Sequence, residues 1–317
     1  MKVLFITNMY PTSDYIYNGI HVKEQTDYLT SKYNLDSQIY FINGRQSAIN
    51  YLKSIFSLNL FINKNKFDVI HIHFGLTGLF LLFNPFIYIP TVLTIHGSDI
   101  SSSKLFGLLP IITKMVTKRV NKVIILNENM YSLLSKYNYK LIQIPCGINI
   151  KQFNIKRANN PISFTIGFPG DKRRPEKNFS LFEKIVKELR NTHTNIEIIE
   201  FHNFTRQEVI DNLSKLDCLL MTSFREGSPQ IVKEAMAAGV PIISTKVGDV
   251  EKLLENVENC SVINNFDHTE FLEELLKLYA LDYNERITNG YLKLESLSLD
   301  QDSVTEAIYS LYQTINK

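Results

Sequence analysis

Short β-rich runs alternate with amphipathic stretches along the whole chain, and this rhythm leaves few folds open. Candidate strands in the first half are Val3–Thr7, Ser37–Ile42, Val69–His73, Thr91–Ile95, Lys122–Leu126 and Leu141–Ile144, with helical patterns between them such as Ile20–Lys32 and Gly107–Val120. The second half repeats the pattern. Its strands read Phe164–Phe168, Ile196–Phe201, Cys218–Thr222, Ile242–Ser244 and Ser261–Ile263, and its helices Phe179–Arg190, Arg206–Lys215, Gln230–Ala238 and Thr269–Leu281. Short strands that alternate with helices pack as parallel sheets covered by helices on both faces. The stretch Ile148–Pro161 is polar and Asn-rich, as a linker is. The expectation is an α/β protein of two doubly wound domains whose parallel sheets face a central cleft. The domains would be residues 1–150 and 151–302, with a terminal helix at 303–317 packing back on the first.

Composition supports this and narrows the function. Of 317 residues, 44% are hydrophobic and 21% charged, which excludes disorder and lets each domain bury its own core. Lys+Arg 34 against Asp+Glu 32 leaves a net charge of +2, too little surplus for a dedicated nucleic-acid binder. The charge is uneven. Residues 1–150 hold 14 Lys/Arg and 7 Asp/Glu (+7), and residues 151–317 hold 20 and 25 (−5). A basic first half suits an anionic partner such as lipid phosphate or a membrane surface; scattered surface charge is the alternative. Cys146, Cys218 and Cys260 are odd in number, and no two form a Cys-x-x-Cys pair. That fits a reducing, cytoplasmic compartment and disfavours a disulfide frame or a zinc knuckle.

The first apolar run, Val3–Thr7, is too short for a signal peptide. Phe74–Ile95 carries no charge and has the length of a membrane span, but Gly75, Gly78, Asn84, Pro85 and Pro90 interrupt it. It divides better into a helix near 76–83, a turn at Asn84-Pro85 and a buried strand Thr91–Ile95.

Ligands of doubly wound sheets bind beyond the carboxyl ends of the strands, so residues just after strands are the informative ones. The segment Phe224–Pro241 follows the strand Cys218–Thr222. Ser228 is expected as the helix N-cap, Pro229 at the first helical position, and Gly239 just past the end. The N–H groups of 228–231 and the positive dipole end would then face a phosphate, and Gly227 lets the backbone come close. Glu226 lies before the helix and Glu234 on its second turn, and carboxylates accept well from adjacent hydroxyls of a sugar or ribose. Spacing alone favours a loop acid and a capping-region acid without a ligand, because pairs of Glu are common. Lys172, Arg173, Arg174 and Lys177 crowd the loop after strand Phe164–Phe168. Such a loop favours a dianion; a solvated basic loop is the alternative.

Together these stretches resemble the retaining glycosyltransferases of family 4, which have the GT-B fold, two Rossmann-like domains. The run Glu226-Gly227-x-Pro229 with Glu234-Ala235-Met236-Ala237 and Gly239-x-Pro241 is similar to the family's Glu-x7-Glu element. Gly19-Ile20-His21-Val22-Lys23-Glu24-Gln25, His71-Ile72-His73-Phe74-Gly75, His96-Gly97-Ser98-Asp99, Pro145-Cys146-Gly147-Ile148-Asn149 and Phe168-Pro169-Gly170-Asp171 through Asn178 resemble further family segments in the same order. The resemblance covers essentially the whole chain and is strongest to the teichuronic-acid type, which builds cell-surface polysaccharides.

The resemblance implies roles. Arg174 and Lys177 would bracket the donor diphosphate. The more familiar spacing puts Arg five positions before Lys, which is Lys172 here, so the choice among Lys172, Arg173 and Arg174 stays open. Gly19 would bring main-chain N–H groups to the phosphates. His96 would contact the donor sugar near the reacting carbon, Glu226 its hydroxyls, and Glu234 the ribose. Phe224, Ser228, Pro229 and Gln230 would complete the wall, with His73 and Asp99 on the acceptor side.

His71 and His73 share a strand face, half of a metal site with no third ligand in view. Asp300-x-Asp302 formally matches a metal motif of another glycosyltransferase fold, but helix capping explains it better. The resemblance implies no metal and no other cofactor. The implied partners are a nucleotide-sugar donor and a glycan or lipid-linked glycan acceptor, with no nucleic acid. Leu105–Val120, with Lys114, Lys118, Arg119 and Lys122, reads as an interfacial helix on the inner membrane face, or as a plain buried helix. Two rival functions remain: a nucleotide-sugar 2-epimerase of the same fold, and a non-catalytic nucleotide-sugar or glycan-binding subunit.

Overall fold

The structure is a computed structural model that describes residues 1–101, 107–158 and 162–316. It divides into two compact units: Met1–Gly147 with the tail from Gln301, and Ile148–Asp300.

The first unit holds β1 (Lys2–Thr7), β2 (Asp36–Phe41), β3 (Val69–His73), β4 (Thr91–Thr94), β5 (Lys122–Ile125) and β6 (Leu141–Gln143). They form one parallel sheet in the order β2-β1-β3-β4-β5-β6. The central strands β1, β3, β4 and β5 are buried nearly throughout because both faces are covered. Leu4 and Ile6 of β1 pack with Ile70, Ile72 and Leu93 on one side. Val3 and Phe5 pack on the other with Val69, Val92 and Ile124, and with Val304, Ile308, Leu311 and Tyr312 of the last helix, Gln301–Ile315. That helix is pinned to the helix Ile20–Tyr33 by the stacked rings of Tyr33 and Tyr309, 3.7 Å apart, and by Asp302, which accepts from Tyr28 at 2.6 Å and Lys32 at 2.8 Å.

The second unit holds β7 (Phe164–Phe168), β8 (Ile196–Glu200), β9 (Cys218–Met221), β10 (Ile242–Thr245) and β11 (Ser261–Ile263), in the parallel order β11-β10-β9-β7-β8. The helix Phe179–Thr192 buries Leu181, Phe182, Ile185, Val186 and Leu189, a stripe at helical spacing. Each such side chain contributes roughly 1.5–3 kcal/mol by leaving water. In each sheet the strand order reverses once, between β1 and β3 and between β7 and β9. Loops diverge there and leave a crevice at the carboxyl ends.

The uncharged stretch Phe74–Ile95 is broken as its Gly and Pro residues require, into a tight 3-10 turn (Gly75–Gly78), a short helix (Phe80–Phe83) and β4. Among the described residues no helix is long and apolar enough to cross a membrane. The helix expected over Gly107–Val120 runs Leu108–Arg119. Leu105 and Phe106 of the longer apolar stretch lie outside the described residues, as do residues 159–161 of the expected linker.

Candidate functional site

In the second unit, the loops leaving β7 and β9 at the reversal are tied together. Thr222 Oγ1 donates to the carbonyls of Lys177 at 3.2 Å and Asn178 at 3.0 Å. The Phe224 N–H donates to the Glu176 carbonyl at 2.9 Å, and Thr245 Oγ1 to the Ser223 carbonyl at 2.7 Å. This stitching brings Lys177 and Glu226 together. Lys177 Nζ donates to Glu226 Oε1 at 2.8 Å, and both side chains are mostly shielded, 9% and 16% exposed. Ser223 Oγ donates to the same oxygen at 2.8 Å. Gly170, at φ +126°, makes the space: a Cβ there would stand 2.9 Å from Lys177 Cε.

The other three cations of this loop are placed differently. Arg173 forks onto Asp171 through two bonds of 2.9 Å and is 75% exposed. Its hydrogen bond is the main cause that holds the Asp171 carboxyl far below the usual carboxylate range. Arg174 pairs with Glu176 at 2.8 Å, and Lys172 lies 3.7 Å from Glu200. All three are outward side chains, whereas Lys177 is buried.

Ser228 does not cap the helix, which runs Gln230–Ala237 with Pro229 at the N-cap position and no side-chain cap. Its hydroxyl bonds instead to Asp249 Oδ2 at 2.5 Å. Gly248, at φ +59°, lies under the same loop; a Cβ there would meet the Gly227 carbonyl oxygen at 2.4 Å. Burial raises the Asp249 carboxyl above its ordinary value, opposed by nearby Lys233. Gly239, at φ +71°, follows the helix in the left-handed conformation expected of it. Glu234 is 4% exposed and pairs with Arg206 Nη1 at 2.5 Å. The Arg206 guanidinium lies 4.6 Å over the Phe153 ring. Phe224 is exposed against Phe266, ring centres 5.0 Å apart, and Gln230 opens the helix half-buried. Asp249 and Arg206 had no sequence signal, because each is a long-range partner of a residue that did.

In the first unit, β3 and β4 end in His73 and, just beyond β4, His96. His73 Nδ1 and His96 Nε2 are 3.3 Å apart, and the His21 ring meets His96 edge-on at 5.4 Å. Behind them His71 stacks on His73 at 4.3 Å and bonds Tyr312 Oη at 2.5 Å and Thr94 Oγ1 at 2.7 Å. Burial is the first cause that lowers all three imidazoles, His71 to about 3 and His73 and His96 well below their ordinary value, so they are neutral at physiological pH. Asp99 holds the two strand ends in place. Its buried carboxylate accepts from the N–H of Gly75 and of His96, each at 3.1 Å. Burial raises its carboxyl to about 6 despite those bonds. Gly19 caps the helix Ile20–Tyr33 at φ +66°, and a Cβ there would lie 2.2 Å from the Met9 carbonyl carbon. Among the described residues no three His, Cys, Asp or Glu side chains are grouped to hold a metal ion.

The arrangement in the second unit suits an anionic, hydroxyl-bearing ligand: a buried ammonium, carboxylates for hydroxyls, and a helix start beside them. Comparison with known proteins gives the same direction. Residues 14–152 match Glycosyltransferase Family 4, and residues 155–280 match Glycosyl transferases group 1. TuaC of Bacillus subtilis (strain 168), which carries the name of a teichuronic acid biosynthesis glycosyltransferase, is 23% identical over 289 residues, covering 79% of this chain and 71% of TuaC. Among solved structures, sucrose-phosphate synthase from Thermosynechococcus elongatus superposes with a TM-score of 0.81 at 12% identity, covering 99% of this chain and 98% of that one. Anabaena HepE in complex with UDP gives a TM-score of 0.71 at 14% identity, covering 99% and 100%.

Proposed function

The chain belongs to the glycosyltransferases of family 4 and has the GT-B fold, and on that premise we propose that it moves a sugar, with retention of configuration, from a nucleoside-diphosphate sugar to a hydroxyl of a growing lipid-linked cell-surface glycan. The observation that carries this reading is the buried Lys177–Glu226 pair at the β7/β9 reversal. In the proposal Lys177, with one of Lys172, Arg173 and Arg174, takes the diphosphate. Glu226 accepts from sugar hydroxyls, and Glu234 from the ribose, where Arg206 orients it. His96 meets the sugar, and Gly19, Gly227, Ser228, Pro229 and Gln230 supply close backbone. His73 and Asp99 belong to the acceptor side. The names of TuaC and of the UDP-bound HepE support a glycan acceptor and a nucleotide donor.

The chemistry follows from these roles. The bond from the anomeric carbon to the leaving phosphate breaks as the acceptor oxygen bonds to the same face of that carbon. The acceptor proton passes to the leaving phosphate, and a nucleoside diphosphate departs. Negative charge grows on the phosphate, so a fixed ammonium there is the main protein contribution. No metal or other cofactor takes part, and the reaction runs on the cytoplasmic face of the membrane.

The test is a panel of nucleotide sugars, scored by thermal shift and by nucleoside diphosphate release with and without membrane lipid extract. One stabilising donor, with release that needs both extract and Glu226 and Lys177, supports the reading. A donor epimerised without acceptor, or no donor bound, overturns it.

A further inference from the structure

The helix Ile49–Lys64 of the first unit has two apolar faces. Ile55, Leu58 and Ile62 are buried in the core. On the opposite side Leu52, Phe56 and Leu60 recur every four residues and are 59%, 75% and 63% exposed. A surface helix ordinarily turns a polar face to water. The helix Leu108–Arg119 repeats the anomaly: Leu109 and Val116 point inward while Leu108, Ile111 and Met115 are at least half exposed. The short helix Phe80–Phe83 touches both of these helices. Asn84 at its end bonds Asn59 of one at 2.9 Å and accepts from Arg119 of the other at 3.4 Å. Phe83 and Phe86, on either side of Asn84, are 64% and 74% exposed. Three adjoining elements thus form one apolar face.

The charge of this stretch is mostly positive. Between residues 37 and 127 the only acids are Asp68 and Asp99. Asp99 is buried, and Asp68 accepts from the Lys2 N–H. Lys53, Lys64, Lys66, Lys114, Lys118 and Arg119 are all exposed.

We infer that this face docks onto an anionic lipid bilayer, with the apolar side chains seated at the headgroup boundary and the cations on lipid phosphates. Apolar side chains rimmed by Lys and Arg are what such a surface selects. A second copy of this chain would bring the same cations and be repelled. The inference deepens the membrane-side acceptor reading by naming the surface, and it is tested without donor or turnover, so its failure and the failure of transfer are separate results.

The experiment is sedimentation of the full chain with vesicles of phosphatidylglycerol mixed with phosphatidylcholine, and with phosphatidylcholine alone. The wild type should bind the mixed vesicles, and binding should fall as salt rises. Phe56→Ser with Leu60→Ser should lose about tenfold or more in partitioning. Lys114→Glu with Lys118→Glu should lose binding to mixed vesicles only. Melting curves of both double variants should match the wild type, because the altered side chains are exposed. Wild type left in the supernatant, equal binding to neutral vesicles, or variants that bind normally would overturn the inference. So would a concentration-dependent dimer in light scattering that Phe56→Ser with Leu60→Ser abolishes, since that would give the face to a second copy.

Discussion

Lys177 Nζ stands 2.8 Å from Glu226 Oε1, with the Ser223 hydroxyl on the same oxygen at 2.8 Å. Two opposite charges from loops 49 residues apart in sequence therefore neutralise each other out of water. Breaking such a pair leaves one shielded charge alone, which costs more than removing both. Lys177→Met and Glu226→Gln should each destabilise by about 2–3 kcal/mol, and the double variant by about 1–3 kcal/mol less than their sum. Urea unfolding of the four proteins gives the coupling. Strict additivity would mean the two groups do not interact.

The tautomers of the histidine pair follow from what surrounds it. His73 Nε2 is buried with no hydrogen-bond partner among the described residues. An orphaned N–H is rarer and costlier than an orphaned lone pair. His73 thus carries its proton on Nδ1 and donates to His96 Nε2, which leaves the His96 proton on Nδ1. Nitrogen-15 histidine spectra should show His96 as the neutral Nδ1–H form at pH 7, and His73→Phe should release that preference. An Nε2–H signal for His96 in the wild type would reject the assignment.

The first unit should gain stability as pH rises from about 4 to about 6.5. The buried histidines have lowered values, so the unfolded chain binds more protons than the fold in this window, and stability climbs with pH. Asp99 acts in the opposite sense. Its raised value, about 6, means that the folded state holds the extra proton, so its contribution falls as pH passes from about 4 to 6. Three imidazoles outweigh one carboxyl. Asp99→Asn removes the opposing contribution and should steepen the rise of the urea midpoint with pH. A flatter profile in Asp99→Asn would contradict the sign.

Two glycines with left-handed backbone separate strain from collision. Gly19 is at φ +66° with a Cβ position 2.2 Å from Met9 backbone, whereas Gly107 is at φ +78° with nothing within 4 Å among the described residues. Gly107→Ala should cost about 1 kcal/mol from strain alone, and Gly19→Ala clearly more, about 3 kcal/mol, because the loop after β1 must shift. Melting temperatures rank the two, and equal losses would show that the loop yields freely.

The central strands were legible because both faces are covered, so β1 and β9 read as near-continuous apolar runs between turn residues. Phe74–Ile95 was legible as a broken segment because proline and glycine act locally. The error at Ser228 has a definite cause. A serine before a short helix normally caps it, but Asp249, 21 residues further on, takes the hydroxyl at 2.5 Å, and Pro229 occupies the cap position. Arg206 was invisible for the same reason. Its role comes from meeting Glu234 across 28 residues of chain, and no local pattern records such a meeting. The exposed apolar side of Ile49–Lys64 was not read from the sequence, because periodicity alone does not say which of two apolar stripes on a helix meets the core.

The first unit is discontinuous in sequence. Tyr312 and its neighbours on Gln301–Ile315 share a core with Val3, Phe5 and Val69, so that core closes only when the last helix arrives. During synthesis the second unit, Ile148–Asp300, is therefore complete first. Until Gln301–Ile315 has been made, the earlier-made half keeps one flank of its sheet bare.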